Sequence, residues 1–305
     1  MTAIPLSGAA VAITGGARGI GLATAKRFVA RGASVFIGDL DASLAESVAA
    51  EIGCRGGHLD VRSPASYAKF LDSIDAPLQV LVNNAGIMPT GRFVDQDDAI
   101  VDAVIDINLR GVMTGTKLAL PGMLERGSGH IVNVASYLGR VPAAGLAAYC
   151  ASKFGVVGFS ESLRDELAGT GVTVTAVMPS AVRTELVTGI QLGGVLPTVD
   201  PDRIAAAVVR SCRHRRAIVA VPRWMRTYET IAAITPDRAL GAIRGGLTRR
   251  RALRTVDPML RSGYDERLRR LASQTSSTAA GPPGCRATAA GEPSQPSPVS
   301  LRQDP

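Results

Sequence analysis

Cysteine and histidine are scarce: the 305-residue chain has four of the first and three of the second. Cys54, Cys150, Cys212 and Cys285 form no C-x-x-C pair, and no histidine sits at zinc-ligand spacing. The common zinc motifs are thereby excluded, and the expectation is reduced thiols with no metal centre. No apolar run reaches the roughly 18 residues that a membrane-spanning helix needs. The N-terminus lacks a charged region followed by an apolar core and a cleavage site, so no secretory signal is expected. A cytoplasmic location follows as the expectation. With 46% hydrophobic and 20% charged residues, the chain is neither wholly disordered nor collagen-like. Its length suits one large domain or two small ones.

Charge is unevenly placed. Residues 1–199 hold 15 Lys and Arg against 17 Asp and Glu, a net of −2, whereas residues 200–305 hold 19 against 9, a net of +10. The basic excess belongs to the C-terminal third. Such a segment keeps a protein soluble or meets an anionic surface. Nucleic acid is not expected as the partner, since the segment has no recognised binding motif and few aromatics.

The first 220 residues alternate short apolar strands with amphipathic stretches. Strands are expected at 9–14, 33–38, 56–59, 78–83, 130–135, 172–178 and 217–221. Most are β-branched and apolar on both faces, as in a buried parallel sheet. Helices are expected at 20–31, 42–52, 64–73, 97–126, 147–168 and 203–213. Repeated strand–helix–strand units imply an α/β, doubly wound Rossmann fold with helices on both faces. Beyond Val221 the spacing predicts helices over 224–234 and 238–254 with mixed apolar and basic faces. From 272 the chain is rich in Ser, Thr, Pro, Gly and Ala, which predicts a disordered tail. The expected organisation is a dinucleotide-binding and catalytic domain over 1–222, a basic helical extension over 223–271 and a tail over 272–305.

The first strand runs into TGGARGIG at 14–21, a glycine-rich turn opening a helix. Glycines let a backbone approach a pyrophosphate, whose charge sits on the helix N-terminus. The spacing G-x-x-x-G-x-G differs from the commoner G-x-G-x-x-G. Gly15, Arg18, Gly19, Ile20 and Gly21 are the candidate cofactor contacts here. Asp39 ends the second strand, where a carboxylate accepts hydrogen bonds from the adenosine ribose and repels a 2′-phosphate. This predicts NAD over NADP, although Arg18 in the turn argues the other way. The alternative reading of Asp39 is the cap of the following helix, but Asp41 is better placed for that.

With these residues the sequence resembles the short-chain dehydrogenase/reductase family, from about residue 9 to 221. Asp60-Val61 resembles the family's adenine-contacting pair, and Asn83-Asn84-Ala85-Gly86 its NNAG turn, with Asn84 and Gly86 toward the cofactor. Asn108 is similar to its helix asparagine, Ser136 to its strand-end serine, and Tyr149 with Lys153 to its Y-x-x-x-K signature. Pro179, Val182 and Thr184 resemble the segment over the nicotinamide. The resemblance implies a seven-stranded parallel sheet in the order 3-2-1-4-5-6-7 and hydride transfer on the pro-S face. It implies Asn108, Ser136, Tyr149 and Lys153 as the catalytic set, with Tyr149 and Lys153 also toward the cofactor. Asn108 would hold a relay water to Lys153, and the helices at 97–126 and 147–168 would form a homodimer or homotetramer. The residue types suit the chemistry. Tyr149 and Lys153, four apart, share a helix face. A free phenol ionises near pH 10, and the adjacent ammonium is expected to lower that value. Ser136 would hydrogen-bond the substrate oxygen.

The chain departs from the family at Ser180, where glycine is usual, and in its C-terminal extension. No charged residue lies between Leu186 and Val199, which predicts a small apolar substrate. The extension resembles that of the family's subgroup with extra C-terminal helices, which implies a steroid-, retinoid- or lipid-like alcohol. Gly189, Gly193 and Gly194 fit a mobile lid over it. Trp224, Met225, Tyr228 and Ile231 are expected at the substrate mouth, on a membrane surface or against the domain. Cys150 is expected to be packing rather than redox-active. The alternatives to an enzyme are a non-catalytic dinucleotide-sensing or scaffold protein and a membrane-recruited protein.

Overall fold

The computed structural model of the protein describes residues 3–190, 197–227, 235 and 256–279, with side chains of the last helix through 273. Seven parallel strands make the central sheet: β1 (Ala10–Thr14), β2 (Ser34–Asp39), β3 (Arg55–His58), β4 (Leu78–Asn83), β5 (Gly129–Val134), β6 (Val172–Pro179) and β9 (Ile218–Val221). Their order is β3-β2-β1-β4-β5-β6-β9, the expected doubly wound arrangement. Two short strands, β7 (Ala181–Val182) and β8 (Thr198–Val199), pair separately beside the sheet.

Alternation along each strand sorts the core into two layers. Val11 and Ile13 of β1 face one way, packing with Phe28 of α1 (Gly19–Val29) and with Ile204 and Val208 of α7 (Pro201–His214). Ala10 and Ala12 face the other way, toward α3 (Pro64–Asp72), α4 (Asp98–Ile105), α5 (Gly111–Glu125) and α6 (Ala147–Glu166). Local chemistry sets the helix starts. Asp41 caps α2 (Ala42–Ile52) by accepting from Leu44 N–H, Ser63 caps α3 from Ser66 N–H, and Asp97 caps α4 from Ala99 N–H. Asp41, not Asp39, is therefore the cap.

The expected helix over 97–126 is three pieces. Between α4 and α5 one π-type turn, Asp106–Arg110, inserts an extra residue, and Gly111 N–H bonds back to Asp106 C=O. The turn brings Asn108 against Ile87, whose N–H and C=O both pair with the Asn108 amide at 2.8 and 2.9 Å.

The C-terminal region differs from expectation. A helix, α8 (Pro258–Ala279), runs past the expected tail boundary at 272. Leu268 and Ala272 are buried beneath it, and it packs against α4. The small polar residues after 272 continue a helix that these two anchor. The helices expected over 224–234 and 238–254 lie almost wholly outside the described residues, as do Tyr228, Ile231, Gly193 and Gly194. Residues Arg223–Met225 form a short 3-10 turn with Trp224 exposed and Met225 buried. Among the described residues no helix is long and apolar enough to cross a membrane.

Candidate active site

In the sheet, the order reverses between β1 and β4, so their C-terminal ends open a crevice. A cavity of about 330 Å³ lies there. Its floor is the glycine turn. Gly15 and Gly19 have φ of +61° and +52°, which glycine adopts without strain. A Cβ on Gly21 would stand 2.1 Å from the Gly15 carbonyl, so Gly21 lets α1 start hard against the turn. Arg18, at the N-cap of α1, offers no side-chain acceptor to the helix's first amides, and an anion in the turn would meet them.

At one end of the cavity Asp39 accepts from Ala17 N–H and Asp41 N–H, both at 3.3 Å. Arg18 lies between two carboxylates, 3.1 Å from Asp41 and 3.6 Å from Glu185. Asp60 grips Arg62 with both oxygens, and Arg62 donates to Leu271 C=O of α8 at 3.0 Å. The Asn84 amide donates to the carbonyls of Thr14 and Gly15, each at 3.0 Å, and so sets the turn. A Cβ on Gly86 would reach within 3.1 Å of Asn108 Oδ1 and 3.6 Å of Lys153 Nζ. This is a cradle that only glycine leaves open, and with the Asp39 carboxylate it fits a dinucleotide.

The other end holds the catalytic candidates. Tyr149 and Lys153 project from one face of α6, and the Lys153 ammonium lies 5.7 Å from the Tyr149 ring centre. Lys153 donates to Val134 C=O at 2.9 Å. Burial pulls its ammonium down to about 8. The Ser136 hydroxyl lies near the Tyr149 hydroxyl and accepts from Leu138 N–H at 3.1 Å. The expected lowering of the Tyr149 phenol by Lys153 is not what the protein groups produce. Burial dominates and pushes the phenol up, and the Ser136 hydroxyl offsets only part of that.

Every candidate cofactor and catalytic residue lines this cavity except two, Gly21 and Asn108. Gly21 acts in packing. The Asn108 amide donates to Ile87 C=O and Ser152 Oγ and accepts from Ile87 N–H, which fixes it behind the cavity. Pro179, Ser180, Val182 and Thr184 form the wall over the site. Ser180 donates to Pro197 C=O at 2.7 Å and does not adopt a left-handed backbone, so serine fits where glycine is usual. Cys150 is buried beside Tyr149, Met88, Leu138 and Ile190, and its thiol is pushed up by burial, as packing requires. Tyr264 and Leu271 of α8 also line the cavity and were not foreseen.

The model of the short chain dehydrogenase family matches residues 9–192. The chain belongs to this family. A solved "short chain dehydrogenase/reductase family protein" superposes with a TM-score of 0.64 at 31% identity, covering 71% of this chain and 97% of its own. The "Probable oxidoreductase EphD" of Mycobacterium tuberculosis is 35% identical over 236 residues, 68% of this chain. This chain spans 40% of the length of that protein. The "D-beta-hydroxybutyrate dehydrogenase" of Cupriavidus necator is 40% identical over 190 residues, 60% of this chain and 74% of its own. The "2,5-dichloro-2,5-cyclohexadiene-1,4-diol dehydrogenase LinX" of Sphingobium indicum is 36% identical over 61% of this chain and 77% of its own. In this short-chain dehydrogenase the matched region ends just after Gly189 and Ile190, so α8 lies outside it.

Proposed function

We propose that the chain is an NAD-dependent oxidoreductase acting between an apolar secondary alcohol and its ketone, with Tyr149 as general acid and base. One observation carries this reading. A single cavity has the Asp39 carboxylate at one end and the Ser136 and Tyr149 hydroxyls beside Lys153 at the other. Relatives named as dehydrogenases of a hydroxybutyrate and of a cyclohexadienediol support alcohol oxidation.

The bound nicotinamide supplies the hydride acceptor or donor. Tyr149 takes the alcohol proton during oxidation and returns it during reduction. Ser136 bonds the substrate oxygen and holds Tyr149 in register with it. Lys153, with a value of about 8, is mostly charged at neutral pH, and its ammonium would work against the burial that pushes the Tyr149 phenol up. Asn108 fixes the Gly86–Met88 backbone that borders the reacting atoms. Preference for NAD rests on Asp39, and the cation that argued for NADP, Arg18, is held by Asp41 and Glu185. Met88, Leu138, Leu186 and Val187 give the substrate end an apolar wall.

The test follows absorbance at 340 nm with NAD and NADP across secondary alcohols of increasing size. The expected result is turnover that favours NAD by at least about tenfold, from like-charge repulsion at Asp39, and that improves with apolar size. Tyr149→Phe should lose roughly 10²- to 10⁴-fold in turnover and keep NADH binding, read by fluorescence. Normal turnover in that variant would end the assignment of Tyr149. NADH binding without turnover of any alcohol would favour the non-catalytic alternative.

A further inference from the structure

The last helix lies along the whole cavity. At the substrate end Arg261, completely buried, donates to the carbonyls of Met88, Leu186 and Thr188. Midway, Arg267 pairs with Glu185 at 2.9 Å. At the other end Leu271 C=O accepts from Arg62. Three loops that border the site are thereby tied to one helix. Asp257 N–H bonds Gly189 C=O at 2.7 Å, and Val256 bridges Ile190, which fixes where the helix begins.

One turn after Arg261, Tyr264 faces into the cavity that Tyr149 lines. Its oxygen accepts from Met88 N–H at 2.9 Å. Its hydroxyl proton has no acceptor among the described residues. The ring is clamped under two guanidinium groups, Arg261 at 4.7 Å and Arg267 at 5.8 Å from its centre. Tyr264 and Tyr149 are near enough that charge on the first would push the second up. Burial pushes the Tyr264 phenol itself up to about 12, so it keeps its proton at neutral pH and is a donor. Tyr264 is half-buried and its hydroxyl opens on the cavity, so a ligand that displaces water there must supply an acceptor or leave the donor unpaired.

We propose that Tyr264 is a substrate-binding residue: its hydroxyl donates to a second oxygen of the substrate, a carbonyl or hydroxyl oxygen other than the one that reacts. This rests on the dehydrogenase reading and narrows its substrate class. The preferred substrate is an apolar secondary alcohol or ketone with an oxygen acceptor elsewhere on its skeleton. The apolar wall selects the body, and Tyr264 selects the second oxygen.

The test compares ligands that share a chain and differ in the second oxygen. The probes are 2-octanone and the methyl esters of 3-, 4- and 5-oxooctanoic acid. Binding to the full chain with NAD present is measured by calorimetry, since oxidised cofactor cannot reduce a ketone. Wild type is expected to bind at least one keto ester about fivefold or more tightly over 2-octanone, the scale of one neutral hydrogen bond. Tyr264→Phe removes that margin and leaves 2-octanone within about twofold. A purely structural loss at Met88 N–H would weaken both ligands alike, which would overturn the proposal. So would an unchanged margin in Tyr264→Phe, or no margin in wild type. Tyr264→Gln keeps an acceptor for Met88 N–H and a donor, and should restore part of the margin. It carries the test if the Phe variant melts. Turnover of 2-octanol without a keto-ester margin sinks the Tyr264 assignment alone; a margin without turnover sinks the dehydrogenase reading alone.

Discussion

At the scale of single residues, burial decides protonation more than sequence neighbours do. His130 lies in β5 with both ring nitrogens bonded, Nδ1 to Thr173 Oγ1 at 2.8 Å and Nε2 to Ser211 Oγ at 3.0 Å. Burial, with Arg215 and Arg164 nearby, pulls its imidazolium down to about 3. The unfolded chain takes up this proton near pH 6.5 and the native chain does not until about pH 3. Between those values the unfolded state binds more protons, so native stability rises with pH and is lost as pH falls from 6.5 toward 3. The loss attributable to His130 is on the order of 4 kcal/mol at the acid end. Denaturant melts of wild type and His130→Gln at pH 7, 5.5 and 4 should show a steep decline in the first and a shallower one in the second. Parallel declines would assign acid sensitivity to other groups. The same distinction governs what was legible beforehand. Asp39, Ser136, Tyr149 and Lys153 stand out because their meaning is local: a strand end, or two positions one helical turn apart. The direction of the Tyr149 shift was not legible, because it depends on what surrounds the ring. Tyr264 and Arg261 carry no local signal at all. Their partner Met88 is more than 170 residues away in sequence, and nothing in a basic, Ser-rich stretch announces a buried arginine.

At the scale of elements, periodicity recovered the sheet and failed where a helix is held by something outside itself. All seven main strands fall within a residue or two of the expected spans; apolar runs largely buried on both faces have few alternatives, and β3, an edge strand of sequence RGGH, is placed by its pairing with β2. The π-type turn at Asp106–Arg110 was invisible because 3.6-residue periodicity tolerates one inserted residue. α8 was cut short for a related reason: composition after 272 argues against burial, but Arg261, Leu268 and Ala272 anchor the helix from within. Arg261 is the strongest of these anchors. Arg261→Met keeps much of the volume and removes the donors to Met88, Leu186 and Thr188, leaving carbonyls unpaired at a cost of about 1–3 kcal/mol for each that water cannot reach. Hydrogen exchange is the direct readout. Amides of 186–190 and the first turns of α8 should exchange at least tenfold faster in the variant, while those of β4, β5 and β6 stay protected. If 186–190 keep their protection, the loop is held without the helix, and α8 is a passenger on the site.

At the scale of the molecule, α8 settles against α4 and leaves its neighbours uncovered. Met113, Leu118 and Leu124 of α5 and Phe154 of α6 are exposed apolar side chains, each between 39% and 42% accessible. We propose that the subunit contact the resemblance implied over 97–126 and 147–168 forms on α5 and α6, because α8 packs on α4. A two-fold contact repeats each side chain, so one substitution acts twice. Phe154→Glu replaces an apolar ring worth roughly 1.5–3 kcal/mol when fully buried with a carboxylate that burial penalises. Light scattering should read a dimer or larger for wild type and a monomer for Phe154→Glu, with an unchanged melting profile by circular dichroism at low concentration. Met259→Glu, on the exposed start of α8, tests a charge placed away from the contact and should leave the mass of wild type. A monomeric wild type would mean that the exposed apolar residues of α5 and α6 serve no second copy. Loss of mass in both variants would move the contact onto α8, where a partner would sit directly over Arg261 and Tyr264 and close the substrate end from outside.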